Sequence, residues 1–185
     1  ATRQVTALNG SGRVPAALSL ERVRSEGFED TLPPKHPYTV TVPGAVACWS
    51  DLVGQHGRLP LAESLAPAIR LAEEGFPVAP LTARSWRITG EELLASSPGG
   101  AELLIDGRAP RPGELFRNQG LGRALQGVAD SGPGFFYQGE LATAIAGAVQ
   151  AVGGLLAEED LANHQSTWQE PISTGTVAGS LLILI

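Results

Sequence analysis

Glycine and proline cut this chain into short pieces. With 23 glycines and 14 prolines among 185 residues, apolar runs repeatedly meet a residue that ends a helix or withholds a backbone donor. These residues are scattered. They build neither a low-complexity linker nor a repeat of fixed period, so the expected product is one domain, residues 1–185, made of many short elements. A membrane-spanning run of roughly 18 apolar residues is absent. The first residues, Ala1-Thr2-Arg3-Gln4, lack the charged and apolar segments of a signal peptide.

Reading between the punctuation gives an α+β, helix-rich chain. Alternation in Val5-Thr6-Ala7-Leu8 predicts a short strand ending in the turn Asn9-Gly10-Ser11-Gly12. A weak helix over 15–26 precedes a proline-rich connector, 31–37, and the alternating Tyr38-Thr39-Val40-Thr41-Val42 predicts a second strand. From there the pattern is mainly helical. Helices are expected over 44–56, ended by Gly57; over 61–66; and over 68–74, with Pro67 as first residue, Ile69 and Ala72 on one face and Gly75 as stop. Others are expected over 81–95, from an Asn118 N-cap to Asp130, and over 139–152 with Leu141, Ile145 and Ala148 on one side. Glu158-Glu159-Asp160-Leu161 reads as a helical turn and residues 169–173 as extended.

Charge and cysteine content remove several function classes. A net charge of −6, with Lys and Arg scattered, provides no basic surface for nucleic acid or anionic membrane. The lone cysteine, Cys48, cannot form an internal disulfide or a thiolate metal cluster; within Ala45-Val46-Ala47-Cys48-Trp49 it reads as a buried small hydrophobe. Of the three histidines, His36 lies between prolines and is expected to be exposed. His56 sits in a last helical turn, where the dipole favours its positive form. His164 is a base in search of a nucleophile, because no Gly-x-Ser-x-Gly elbow exists. None has a metal-ligand partner at useful spacing. No metal and no cofactor is therefore expected.

Two polar or aromatic clusters remain. Asn9-Gly10-Ser11-Gly12-Arg13 is either a tight turn or a ligand contact, since converging backbone N–H groups and a guanidinium suit a carboxylate. Gly132-Pro133-Gly134-Phe135-Phe136-Tyr137 joins a rigid turn to aromatic residues and reads first as a core anchor, second as a substrate platform.

Several segments resemble γ-glutamyltransferases (γ-glutamyltranspeptidases). Val42-Pro43-Gly44-Ala45-Val46-Ala47 resembles the family's Val-Pro-Gly-x-Val-Ala-Gly segment. Gly57-Arg58-Leu59-Pro60 follows, then the longest stretch, Leu65-Ala66-Pro67-Ala68-Ile69-Arg70-Leu71-Ala72-Glu73-Glu74-Gly75-Phe76-Pro77-Val78. Gly132 to Gly139, Gly153 to Leu161 and Glu170-Pro171-Ile172-Ser173 complete the series, with order and spacing kept over about residues 5–173.

The resemblance implies an N-terminal nucleophile hydrolase with an αββα sandwich, of which this chain is part of the large subunit. In such enzymes a threonine freed by self-cleavage attacks the γ-glutamyl amide, its own α-amine serving as base, while an oxyanion hole stabilises the intermediate. The family's Thr-Thr-His segment does not occur here, and Thr167, Thr174 and Thr176 lack matching surroundings. No catalytic residue is therefore assigned, and the chain alone is expected to be inactive. Where typical members have Asp-Phe-Arg-Glu, this chain has Asn9-Gly10-Ser11-Gly12, and the nearest arginine is Arg13. That pattern resembles a branch including cephalosporin-acylase-like proteins. Asn9, Ser11 and Arg13 are the expected substrate-binding residues.

The implied activity is γ-glutamyl transfer or hydrolysis by the complete enzyme. A β-lactam acylase, and a non-catalytic helical module or decayed gene product, stand as alternatives. The expected partners are the amide substrate, the small-subunit segment and a second copy in a homo-oligomer. Relatives of this kind are often periplasmic or extracellular.

Overall fold

The protein is described from a computed structural model that covers residues 5–176 and 179–183. Its elements run β1 (Ala7–Asn9), α1 (Leu20–Ser25), α2 (Ala45–His56), α3 (Leu61–Glu74), β2 (Phe76–Pro77), α4 (Pro80–Ser85) and α5 (Glu91–Ser96). They continue with β3 (Leu115–Phe116), α6 (Gln119–Ser131), α7 (Gly134–Tyr137), α8 (Glu140–Ala151), α9 (Glu158–Ala162), β4 (Thr167–Gln169), β5 (Ile172–Thr176) and β6 (Gly179–Ile183). These elements form two compact units. One is continuous, Leu61–Gly132; the other is split between Ala1–Pro60 and Pro133–Ile185.

The continuous unit is built on the pair α3 and α6. Leu65, Ile69 and Ala72 recur at helical spacing and are all buried, as are Gly122, Leu125 and Val128 on α6. Residues 61–74 form one helix with Pro67 inside it, where the sequence predicted a break with Pro67 opening a new helix. Pro67 itself is exposed, but buried residues stand on both sides of it, Leu65 before and Ile69 and Ala72 after, and their burial outweighs the lost donor, worth about 3 kcal/mol in an interior turn.

Gly75, at φ +94°, ends α3 in the left-handed conformation that favours glycine. The start of α6 is tied to that helix end: Asn118 N–H donates to Ala72 O at 2.9 Å, Gln119 Nε2 to Glu73 O at 2.9 Å and Arg117 Nε to Glu74 O at 2.8 Å. Asn118 Oδ1 accepts from Leu121 N–H at 2.9 Å, the predicted N-cap. The expected helix over 81–95 is present as α4, a π turn over Trp86–Gly90, and α5. Val78, Ala83 and Phe116 form its small core, with Phe76, Trp86, Leu103 and Ile105 packed around it.

In the split unit, β1 and β4 pair antiparallel, Ala7 opposite Gln169 and Asn9 opposite Thr167. This joins the two halves of the unit. β5 and β6 form a second antiparallel pair, from Ile172 opposite Ile183 to Thr176 opposite Gly179. Leu156 and Leu161 are fully buried, and the predicted turn at 158–161 is α9. Asp160 fixes that turn: Oδ2 accepts from Ala157 N–H at 2.9 Å and Oδ1 from Ala16 N–H at 2.8 Å.

Three local expectations are corrected here. Residues 38–42 are not a strand. His36 Nδ1 accepts from Tyr38 N–H at 3.2 Å and Thr39 Oγ1 donates to His36 O at 2.7 Å, winding Pro37–Thr39 into a 3-10 turn. His36 is consequently half-buried as a cap between Phe28 and Tyr38, with ring centroids at 4.8 and 4.6 Å. On α8 the buried residues are Ala142 and Ala146 while Ala148 is exposed: the inward face is centred on the small residues, which let the helix approach closely.

Candidate functional site

The segment Asn9–Arg13 begins as β1 ends. Asn9 Oδ1 accepts from Ser11 N–H at 2.9 Å, closing an Asx turn, so the tight-turn reading is present as a local fact. What holds this loop is the start of α2. A Cβ on Gly12 would overlap the Val42 carbonyl, and Arg13 O accepts from Val42 N–H at 3.0 Å. A Cβ on Gly10 would lie 2.5 Å from Cys48 Cβ and 2.9 Å from its Sγ. Cys48 is half-buried rather than buried, and the loop lies against it. The glycines are thus required because the loop backbone lies directly on the Val42 carbonyl at Gly12 and on the Cys48 side chain at Gly10.

Gly44 sits in the middle of this contact. A Cβ there would overlap Gly10 O and come within 2.8 Å of His164 Nε2, so both atoms crowd the same face of the glycine. Behind it, the Tyr137 hydroxyl donates to Pro43 O at 2.7 Å and accepts from Ala47 N–H at 3.0 Å. The Tyr137 ring stacks on His164, with centroids 5.5 Å apart and planes at 30°. Burial pushes the Tyr137 phenol above its ordinary value, and the Ala47 N–H partly opposes that shift. The core-anchor reading of Tyr137 therefore holds, with Phe135 of the same motif exposed.

Arg13 is exposed and lines a cavity of about 400 Å³ with Val42, Asp160, Asn163, His164 and Gln165. A second cavity, about 430 Å³, is lined among others by Asp51, Tyr137, His164, Ser166 and Trp168. Asn9 and Ser11 are bound to each other, and neither lines these two cavities. His164 Nε2 and Ser166 Oγ are buried without a hydrogen-bond partner among the described residues. His56, at the end of α2, lies 3.2 Å from Thr6 Oγ1 and edge-on to Trp168 at 5.5 Å.

Sequence reasoning found the loop and missed its support. Tyr137 and His164 reach it across long separations, and no local signal marks such a contact. Asn163 and Gln165 were also missed, because polar residues after a short helix look like ordinary solvent-facing loop.

A family model for gamma-glutamyltranspeptidase matches residues 1–182. The match continues past Ser173, where the resemblance in motifs ends. The chain belongs to the γ-glutamyltranspeptidase family, and its fold is the helix-rich α+β fold of those N-terminal nucleophile hydrolases. Among curated relatives, it is 34% identical over 177 residues to a glutathione hydrolase-like proenzyme of Bacillus subtilis, covering 94% of this chain and 33% of that protein. It is 39% identical over 134 residues to an acylase proenzyme of a Pseudomonas species, covering 72% of this chain and 24% of the relative. Among solved structures, a cephalosporin acylase from Bacillus halodurans superposes with a TM-score of 0.87 at 42% identity, over 94% of this chain and 34% of that one. The chain thus spans about a third or less of the curated relatives named here.

Proposed function

We propose that this chain is the large-subunit portion of an enzyme that cleaves or transfers the acyl group of an amide, of γ-glutamyl type or a related acyl type. The observation that carries this reading is the family match over residues 1–182. The loop geometry supports it further: the loop aligned with the family's carboxylate-binding segment is fixed on α2 with Arg13 free at a cavity edge. In this reading the nucleophilic threonine lies in the rest of the protein. Residues 1–185 form one incomplete domain, and the chain by itself has no turnover, because no acyl-enzyme can form.

Arg13 clamps the substrate carboxylate in place of the arginine at the position now held by Ser11. Asn9 fixes the turn through Ser11 N–H, which sets the direction in which Arg13 leaves the backbone. The remaining polypeptide covers the apolar side of α2, where Trp49 and Leu52 are exposed, and the assembled enzyme forms a homo-oligomer. The cephalosporin-acylase alternative is favoured by the 42% identity to that solved structure.

Turnover of a γ-glutamyl anilide and of an N-acyl cephalosporin by the full-length protein tests the reading. Hydrolysis of either substrate, absent with residues 1–185 alone, is expected. A full-length, self-cleaved protein that hydrolyses neither would overturn it.

A further inference from the structure

We infer that Tyr137 is a positioning residue for the Asn9–Arg13 loop, acting through the first turn of α2; for catalysis this rests on the functional reading above. Four parts meet around Gly44. The loop rests on residues 42–48 at three glycine contacts: Gly12 on the Val42 carbonyl, Gly10 on Cys48, and the Gly10 carbonyl on Gly44. None leaves room for a methyl group. His164 crowds the same face of Gly44 as the Gly10 carbonyl, its Nε2 2.8 Å from where a Cβ would stand. Tyr137 stacks on His164 and grips both sides of Gly44 with one hydroxyl, donating to Pro43 O and accepting from Ala47 N–H.

The arrangement is rigid for a physical reason. α2 has no side-chain cap, since Gly44 is its N-cap. The Tyr137 hydroxyl supplies the hydrogen bond that a capping side chain would otherwise give to an early N–H of the helix. Gly44 adopts φ −90° and ψ −5°, so its conformation does not require glycine. Lack of space does. Any sliding of residues 43–47 therefore moves the surface on which Gly10 and Gly12 rest, and with it the starting point of the Arg13 side chain.

Tyr137→Phe in the full-length protein tests this, because it keeps the ring stack and removes only the hydroxyl. Cys48, against which Gly10 lies, is the single cysteine of these 185 residues. Its rate of alkylation, resolved by peptide mass, reports how firmly the loop is seated. Loss of the hydroxyl's two hydrogen bonds is expected to speed Cys48 alkylation about five- to tenfold. Tyr38→Phe is the matched comparison. It removes another buried tyrosine hydroxyl, bonded to Glu26 at 2.7 Å, and is expected to leave the Cys48 rate within about twofold of wild type.

On substrate, Tyr137→Phe is expected to raise the donor KM about five- to tenfold with kcat within about twofold, and Tyr38→Phe to alter neither. Equal Cys48 rates in wild type and Tyr137→Phe, or equal acceleration in both tyrosine variants, would overturn the inference. So would faster alkylation in Tyr137→Phe with an unchanged donor KM in an active enzyme. If the full-length protein cleaves no acyl amide, the functional reading fails while the Cys48 rates still decide whether Tyr137 holds the loop.

Discussion

In the continuous unit, the end of α3 holds the start of α6. Gly75 stops α3, and Asn118 caps α6 while its own N–H closes onto Ala72. In the split unit the decisive contacts join distant residues: Tyr137 to Ala47 and Pro43, 90 and 94 positions away, and Asp160 to Ala16, 144 positions away. The first unit has an aromatic core around Phe116, which meets Trp86 at 4.8 Å and Phe76 at 6.1 Å. The second has the loop, the two cavities lined by His164, and the buried atoms of His164 and Ser166 that lack partners among the described residues. In the continuous unit the end of α3 is tied to the start of the helix that packs on it. In the other, backbone is packed on backbone and polar atoms are left open, as expected where a fold serves a ligand.

The largest expected effect breaks the continuous unit alone. Phe116→Ala empties the centre of its core and should cost about 3–5 kcal/mol. Native-state hydrogen exchange should show the loss at α6 amides, with amides of the β1–β4 pair unaffected. Equal loss in both would mean the units unfold together and the contrast between them is false. Gly44→Ala is the converse, forcing a methyl group between Gly10 O and His164. Overpacking of this kind should destabilise the split unit by about 1–3 kcal/mol, read at β1–β4 amides with α6 unchanged.

A smaller effect sharpens the electrostatic side. Arg108 clamps Glu114 through two bonds of 2.7 and 2.8 Å, and Arg111 N–H donates to the same carboxylate at 2.6 Å. Hydrogen bonding from the Arg108 guanidinium, then from the Arg111 N–H, lowers Glu114 from the usual 4.5 to about 2. Because the folded value is depressed, this contribution is complete above pH 4.5 and is lost as pH falls from 4.5 through about 2. Glu114→Gln should therefore be less stable than wild type at neutral pH, with the gap closing across that window in denaturant titrations. A gap independent of pH would remove the ionic explanation. The smallest effect is at the cap: Asn118→Ala should cost about 1 kcal/mol, measured by the denaturant midpoint.

The same contrast explains what could be read in the sequence. The helices at 45–56, 119–131 and 140–151 were legible because a capping residue or glycine stands at their ends and apolar residues recur between them. Pro67 misled, since a residue that opens helices in isolation is here carried by a buried stripe on both sides. Tyr38 to Val42 misled because alternation predicts a strand only if a partner strand is available; His36 captured the turn first. At the candidate site, Asn9, Ser11 and Arg13 stood out from glycine spacing and from family resemblance. The role of Gly44 was invisible, because its requirement comes from the Gly10 carbonyl and His164, 34 and 120 positions away, and only tertiary packing brings them together.

The central claim is that the loop carrying Arg13 binds the acyl donor's carboxylate. The most direct measurement is steady-state kinetics of Arg13→Ala in the full-length enzyme, against its best amide donor and the same donor without the carboxylate. Losing a charge-assisted contact worth about 1.5–3 kcal/mol predicts a KM for the carboxylate-bearing donor raised roughly 10- to 100-fold, with the KM of the uncharged donor unaffected. Equal KM values for wild type and Arg13→Ala on the carboxylate donor would contradict the account and leave Arg13 as a surface residue.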